Sequence, residues 1–294
     1  MAFATNGAVT IYYERMAAGD GPVVILLAGA GRPSTDFDYG FCAPLIAAGF
    51  VPLRIDSRDT GRSTALVDAV PDLHAIKAAA LGQRDAPPPY GIADMAADVL
   101  AVMDAEKIGA AHLVGRSIGG LVAQQLAVAY PDRVLSLSLV MAMSRSMADA
   151  VPDAALDRLA ADHIPDEDSY VARQLGVAQA NGMAADFDAG RVAEEARLAW
   201  RHGIHPGGTA RHFAASLAAP DLRPALAGVG VPALILHGRH DKVIPVDRAI
   251  ETAAAIPGAV IEIDEAMAHD GPPRLRAAWG ARIAAHLAGL PPVP

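Results

Sequence analysis

The chain has 294 residues, 52% of them hydrophobic, enough to bury a large core in one big α/β domain or in a domain with an insert. A formal charge of −9 and a pI near 5.5 argue against nucleic acid and anionic membranes as main partners, because phosphate binding needs a basic stripe and none stands out. The single cysteine, Cys42, excludes an intrachain disulfide and a multi-cysteine metal site; it falls in a predicted helix, where a small, buried, apolar role suits it.

The opening Met-Ala-Phe-Ala-Thr-Asn-Gly lacks the positive flank and long apolar stretch of a secretory signal, and no run approaches about eighteen uninterrupted apolar residues. A soluble, cytoplasmic protein is expected. Residues 8–14 read as an edge strand and 19–22 as a turn. Val23–Leu27 is a continuous apolar run of the kind that a parallel strand buried on both faces requires. It empties into Ala28-Gly-Ala-Gly-Arg-Pro33, a small-residue loop where a backbone N–H can approach a ligand closely. A helix over 36–48 and a strand over 50–55 complete a strand-helix-strand unit.

The charged turn 56–64 follows, in which Arg58, Asp59 and Arg62 are expected to tie the loop by charged hydrogen bonds and Gly61 to supply an unusual backbone angle. Residues 65–90 form a long connection, with a short helix over 72–81 and the stiff triplet Pro87-Pro88-Pro89; connections this long are often lids or pocket walls. Ile92, Met95, Val99, Val102 and Met103 then recur near period 3.6, which predicts a helix over 92–107.

Ala111-His-Leu-Val-Gly115-Arg-Ser117-Ile-Gly119-Gly120 is an apolar strand ending in Gly-x-Ser-x-Gly-Gly and running directly into a helix that stops before Pro131. This is the pattern of a nucleophile elbow: the tight turn strains the serine, and side chains at the glycines would collide with neighbouring elements. Ser117 is thereby held out at the carboxyl edge of the sheet, while the helix start offers free N–H groups to a negative charge.

Residues 134–140 read as a strand, after which the alternation of strand and helix breaks down. Four short helices over 151–162, 168–179, 189–201 and 209–217 suggest a helical cap spanning 144–226, inserted into a core made of 1–143 and 227–294. Strands over 231–236 and 260–263 and helices over 246–255 and 274–288 close the chain.

A serine hydroxyl needs a base to remove its proton, usually a histidine oriented by a carboxylate. Asp241 follows the strand at 231–236 and His269 the strand at 260–263, so all three groups lie at strand ends in the order Ser117, Asp241, His269. Competing histidines are less well placed: His112 is inside a core strand, His286 in the last helix, His163, His202, His205 and His212 in the cap, where a substrate contact is the alternative, His240 in a loop beside Asp241, and His74 in the 65–90 connection. Asp270 is a rival carboxylate, but a side chain adjacent to the base usually points elsewhere.

With these motifs in place, the chain resembles the α/β-hydrolase superfamily over nearly its whole length. The Arg58-Asp-Thr-Gly-Arg-Ser-Thr64 turn, Pro89-Tyr-Gly91 and His240-Asp241-x-x-x-Pro245 resemble the branch containing the aclacinomycin methylesterases. The resemblance implies an α/β-hydrolase fold, with a mostly parallel sheet flanked by helices and an inserted helical cap. It also implies hydrolysis of a carboxylic ester, such as a methyl ester or a lactone, through an acyl-serine and without a cofactor or metal. By the same resemblance the oxyanion hole is formed by the backbone N–H groups of Ile118 and Ala30. Two positions depart from the family: Ala28 stands where the loop usually has His, and Ala268 where Gly commonly precedes the base. Arg116, beside the nucleophile, is expected either to pair with an acid below the elbow or to bias the charge of the substrate.

Two further readings keep the same pocket: a C–C bond hydrolase or cofactor-free perhydrolase using the same triad, and a ligand receptor whose cap engages a partner. The expected partner is a small-molecule ester. Met147, Met183, Phe187, Trp200 and Phe213 are candidate apolar contacts for it, each more at home in the core. The sequence carries no signal for oligomeric state.

Overall fold

The apolar runs assemble into one eight-stranded sheet in the computed structural model, which describes residues 2–160 and 164–290. In chain order the strands are β1 (Ala2–Asn6), β2 (Val9–Arg15), β3 (Val23–Leu27), β4 (Val51–Ile55), β5 (Ala111–Arg116), β6 (Val134–Val140), β7 (Ala233–Gly238) and β8 (Val260–Asp264). They lie side by side as β1-β2-β4-β3-β5-β6-β7-β8; the β1-β2 and β2-β4 pairings are antiparallel and all later ones parallel. The helices are α1 (Tyr39–Ala47), α2 (Leu73–Ala80), α3 (Ile92–Ala105), α4 (Ile118–Ala129), α5 (Asp153–Ala160), α6 (Glu167–Asn181), α7 (Ala189–Gly203), α8 (Gly208–Leu217), α9 (Arg223–Leu226), α10 (Val246–Ala255) and α11 (Pro273–Ala288).

Strand alternation sorts the core into two layers. Ile25 and Leu27 of β3, Leu113 of β5 and Ile235 of β7 face one side with Val99 and Leu126 of α3 and α4. Val24, Leu26, Val114 and Leu234 face the other, against Phe41 and Leu45 of α1 and Trp279 and Ile283 of α11. This two-sided burial is why the parallel strands read as unbroken apolar runs. Cys42 is fully buried in the second layer, and burial pushes its thiol up to about 12.

The strand predicted at the edge over 8–14 lies one place inside it. Ala2–Asn6 folds back on it through Gly7 and Ala8, with Gly7 at φ 59°. Asn6-Gly7 is a strong hairpin signal, but a five-residue strand with an exposed Phe3 has no core-facing run to betray it. Helix α9 was likewise not foreseen, and residues 161 and 162 of the first predicted cap helix, with His163, lie outside the described residues.

Helices α5–α9 all lie between β6 and β7. Helices α7 and α8 and the residues joining them dock on the charged turn after β4, whose side chains reach outward rather than only tying the turn to itself. Asp59 accepts from Arg211 Nη2 at 2.8 Å and from the Tyr90 hydroxyl at 2.6 Å, Asp56 bonds His202 at 2.8 Å, and His205 Nε2 donates to the Gly61 carbonyl at 2.9 Å. Arg58 grips Asp98 of α3 through two hydrogen bonds of 2.7 and 2.8 Å. Three histidines from the segment between β6 and β7, His202, His205 and His212, thus bond this turn. The 65–90 connection contributes α2, whose Leu73 and Ile76 pack against Leu156 of α5 and Ala214 of α8. No helix among the described residues is long and apolar enough to cross a membrane.

His112, inside β5, bonds Ser136 at 2.8 Å, and burial together with nearby His286 pushes its imidazole down from 6.5 to about 4. Between pH 6.5 and 4 the unfolded chain therefore binds a proton at this site that the folded chain refuses, so stability falls as pH drops through that window. The loss from this imidazole amounts to about 3 kcal/mol. Urea midpoints at pH 7 and pH 4.5 are expected to differ less in His112→Gln than in the parent; an equal difference refutes the assignment.

Candidate active site

The strand β5 enters α4 through a turn of one residue. Ser117 sits there at φ 53° and ψ −121°, a conformation that non-glycine residues adopt only under tertiary constraint. The constraint is close packing: a Cβ on Gly119 would lie 2.2 Å from the Leu27 carbonyl oxygen of β3, and one on Gly115 2.4 Å from the Gly119 oxygen. Helix α4 can approach the sheet this closely only with hydrogen at both positions.

Asp241 and His269 come from the loops after β7 and β8. His269 Nδ1 lies 2.7 Å from Asp241 Oδ2. The other carboxylate oxygen, Oδ1, accepts from the backbone N–H groups of Val243 at 2.9 Å and Ile244 at 2.7 Å, so the carboxylate is held on both sides. Its side chain is inaccessible to solvent, whereas the imidazole keeps 13% exposure toward the cavity. The His269 N–H donates to the Asn181 carbonyl at 2.9 Å, tying the histidine loop to the end of α6. Ala268 is buried in this arrangement without displacing the imidazole from Asp241.

Ser117 and His269 line one cavity of about 950 Å³. No hydrogen bond joins them to each other; contacts of this kind commonly tighten only when substrate is held. Ala30 and Arg116 share the lining, Met147 comes to it from the segment between β6 and α5, and Phe213 from α8. Met183, Phe187 and Trp200 lie outside it; Trp200 packs on Tyr170 with ring centroids 5.9 Å apart, within the insert's own small core. No residue of the 65–90 connection lines the cavity, so it braces the helices that do.

Arg116 pairs with Asp36. Asp36 also accepts from Arg32 at 2.9 Å, and Arg32 reaches Gln174 of α6 at 2.7 Å. Burial alone would raise the Asp36 carboxyl, but the Arg116 and Arg32 guanidiniums hold it far below the usual carboxylate range. One permanently charged acid thus anchors two cations in the wall beside the serine. Asp270, the rival carboxylate, makes no contact with His269 Nδ1; burial and the neighbouring Asp186 push it upward, and its Oδ1 has no partner among the described residues.

Comparison with known proteins agrees with this geometry. A family model described as the α/β-hydrolase fold matches residues 21–269. The chain belongs to the α/β-hydrolase fold family. It is 30% identical over 304 residues to a rhodomycin D methylesterase from Streptomyces peucetius, with 96% of each chain covered, which places it with the methylesterase-like branch. It is also 26% identical over 264 residues to a 2-hydroxy-6-oxononadienedioate/2-hydroxy-6-oxononatrienedioate hydrolase from Klebsiella pneumoniae, covering 83% of this chain and 80% of that one. Among solved structures, an enol-lactonase from Burkholderia xenovorans superposes with a TM-score of 0.75 at 25% identity, covering 97% of this chain and 99% of that one.

Proposed function

We propose that this α/β-hydrolase cleaves a carboxylic ester, including a methyl ester or lactone, through an acyl-serine intermediate. The observation that carries the reading is the Asp241 carboxylate, pinned by two backbone N–H groups on one oxygen and 2.7 Å from His269 Nδ1 on the other, in a site that shares its cavity with a strained serine. Asp241 keeps the proton of the neutral imidazole on Nδ1, leaving Nε2 free to accept. Ser117 Oγ attacks the ester carbonyl carbon as its proton passes to Nε2, and the imidazolium formed is stabilised by the carboxylate.

The oxyanion of the tetrahedral intermediate is received by the N–H groups of Ile118 and Ala30. Neither amide donates to another described group, so both remain available. Each such donor lowers the barrier by roughly 3 to 4 kcal/mol. Collapse of the intermediate expels the alcohol, which takes the proton from His269, and water then releases the acid by the same steps in reverse. A serine nucleophile argues against the haloalkane and epoxide chemistry that this superfamily performs with aspartate. The ester and lactone substrates named for the methylesterase and enol-lactonase relatives support the choice of carboxylic ester.

A fluorophosphonate probe tests the reading directly. One adduct is expected by intact mass, and peptide mapping is expected to place it on Ser117. An adduct on a different residue, or none, overturns the nucleophile assignment. Turnover of a p-nitrophenyl ester series then sizes the acyl side of the cavity.

A further inference from the structure

The loop after β3 that carries Ala30 is closed from within by one backbone hydrogen bond, from the Arg32 N–H to the Gly29 carbonyl at 3.1 Å. Ala28 has no polar side-chain atom with which to hold it. Its second anchor comes from the inserted helices, 181 residues further along the chain. The Gly31 N–H donates to His212 Nδ1 at 3.1 Å, and His212 Nε2 lies 2.7 Å from the Arg58 carbonyl oxygen. A carbonyl only accepts, so Nε2 carries the proton and Nδ1 is left bare to receive the Gly31 amide.

His212 is 1% exposed, and burial holds its imidazole below the usual histidine range, in keeping with a neutral ring. Helix and loop meet at backbone distance: Gly31 is at φ 65°, and a Cβ there would lie 2.1 Å from Thr209 Oγ1 of the same helix, α8. The preceding residue, Arg211, is locked to Asp59, and Arg58 is locked to Asp98, so the helix that carries the imidazole and the carbonyl that orients it stand on fixed ground.

We propose that His212 is a positioning residue for the oxyanion hole, holding the Gly31 amide so that the adjoining Ala30 amide faces the reacting carbonyl. The proposal rests on the hydrolase reading above. With the Arg32 N–H bonded to Gly29 and the Gly31 N–H bonded to His212, the Ala30 amide lies just before two spoken-for amides and itself has no partner among the described residues. The α8 helix therefore does more than roof the cavity: docking it sets the second oxyanion donor, and undocking it releases that donor.

Two substitutions separate the two bonds. His212→Asn places its Oδ1 near the position of Nδ1 and keeps the acceptor for Gly31. His212→Gln places its Nε2 near the imidazole Nε2, keeping the bond to Arg58 and leaving the Gly31 amide unheld. Toward a p-nitrophenyl ester, the Gln variant is expected to lose about 10- to 100-fold in kcat with KM within about twofold of the parent. The Asn variant is expected to stay within about fivefold in kcat. Affinity for a trifluoromethyl ketone, whose adduct carries the oxyanion, is expected to fall with kcat across the series.

A Gln variant that turns over like the parent, equal losses in both variants, or a loss confined to KM overturns the positioning role. A parent protein that takes no fluorophosphonate on Ser117 overturns the hydrolase reading itself, and this proposal with it. Nitrogen-15 spectra of the parent at pH 7 provide a check that needs no variant: His212 is expected to be protonated at Nε2 and bare at Nδ1. The opposite tautomer, or an imidazolium, overturns the proposal.

Discussion

Alanine at position 117 is expected to lower kcat toward a p-nitrophenyl ester by about 10⁶-fold, and asparagine at position 241 by about 10⁴-fold. The second figure follows from which atoms the asparagine can satisfy. Asp241 Oδ1 accepts two backbone N–H groups, at 2.9 and 2.7 Å. The asparagine carbonyl takes that place, which turns the side-chain NH₂ toward His269 Nδ1. Nδ1 must then accept, the ring proton moves to Nε2, and the base can no longer take a proton from Ser117.

The geometry of the site is expected to survive, so KM changes little and the loss falls on kcat. Because the three groups act as a unit, the double variant is expected to be no slower than Ser117→Ala alone. Steady-state kinetics of the three variants decide the matter. An Asp241→Asn protein within about tenfold of the parent would show that another carboxylate orients the base, and Asp270, beside it in the chain, would be the residue to replace next.

Breaking the Arg211–Asp59 pair is expected to produce the largest loss of stability. The two side chains are 1% and 0% exposed and meet at 2.8 Å. Burial opposes ionisation of Asp59, but Arg211, the Tyr90 hydroxyl and the Leu66 N–H together hold its carboxyl below the usual range. In Arg211→Met the carboxylate stays buried and loses its cation. Loss of one partner from a buried pair costs about 3 to 5 kcal/mol, and the lower end is expected because Tyr90 and Leu66 remain.

For a domain of this size that lowers the melting temperature by about 5 °C. Adding Asp59→Asn is expected to recover part of the loss, since the stranded charge is removed and asparagine tolerates the φ of 66° at this position. The exposed pair Arg239–Glu265 serves as the control, and Arg239→Met is expected to leave the melting temperature unchanged. Thermal unfolding followed by circular dichroism measures all three; an Arg211→Met protein that melts with the parent refutes the account.

The parts of the site legible in the chain are those written in local pattern. Gly-x-Ser-x-Gly-Gly at the end of an apolar run is a local statement about a turn, and Asp241 and His269 could be located because each follows a strand that is itself a local run of apolar residues. Arg116 illustrates the boundary: pairing with an acid is one of two expectations, yet nothing in sequence marks Asp36 as the acid, because the end of β5 meets the segment after β3 only through tertiary packing. The cap histidines show the same limit. For His202, His205 and His212 a substrate contact is the sequence's alternative reading, and their bonds to the turn between Asp56 and Gly61 span 144 residues or more.

By itself, then, the chain determined the order of its parallel strands and of most of its helices, the tight turn at the serine and the two residues that follow late strands, since periodicity and turn chemistry act over a few neighbouring positions. Tertiary structure alone decided which aromatic and methionine side chains reach the cavity, which acid Arg116 meets, and that a histidine of α8 bonds the loop bearing Ala30. Those outcomes depend on hydrogen bonds and packing between segments far apart in the chain, where no local propensity carries information about the partner.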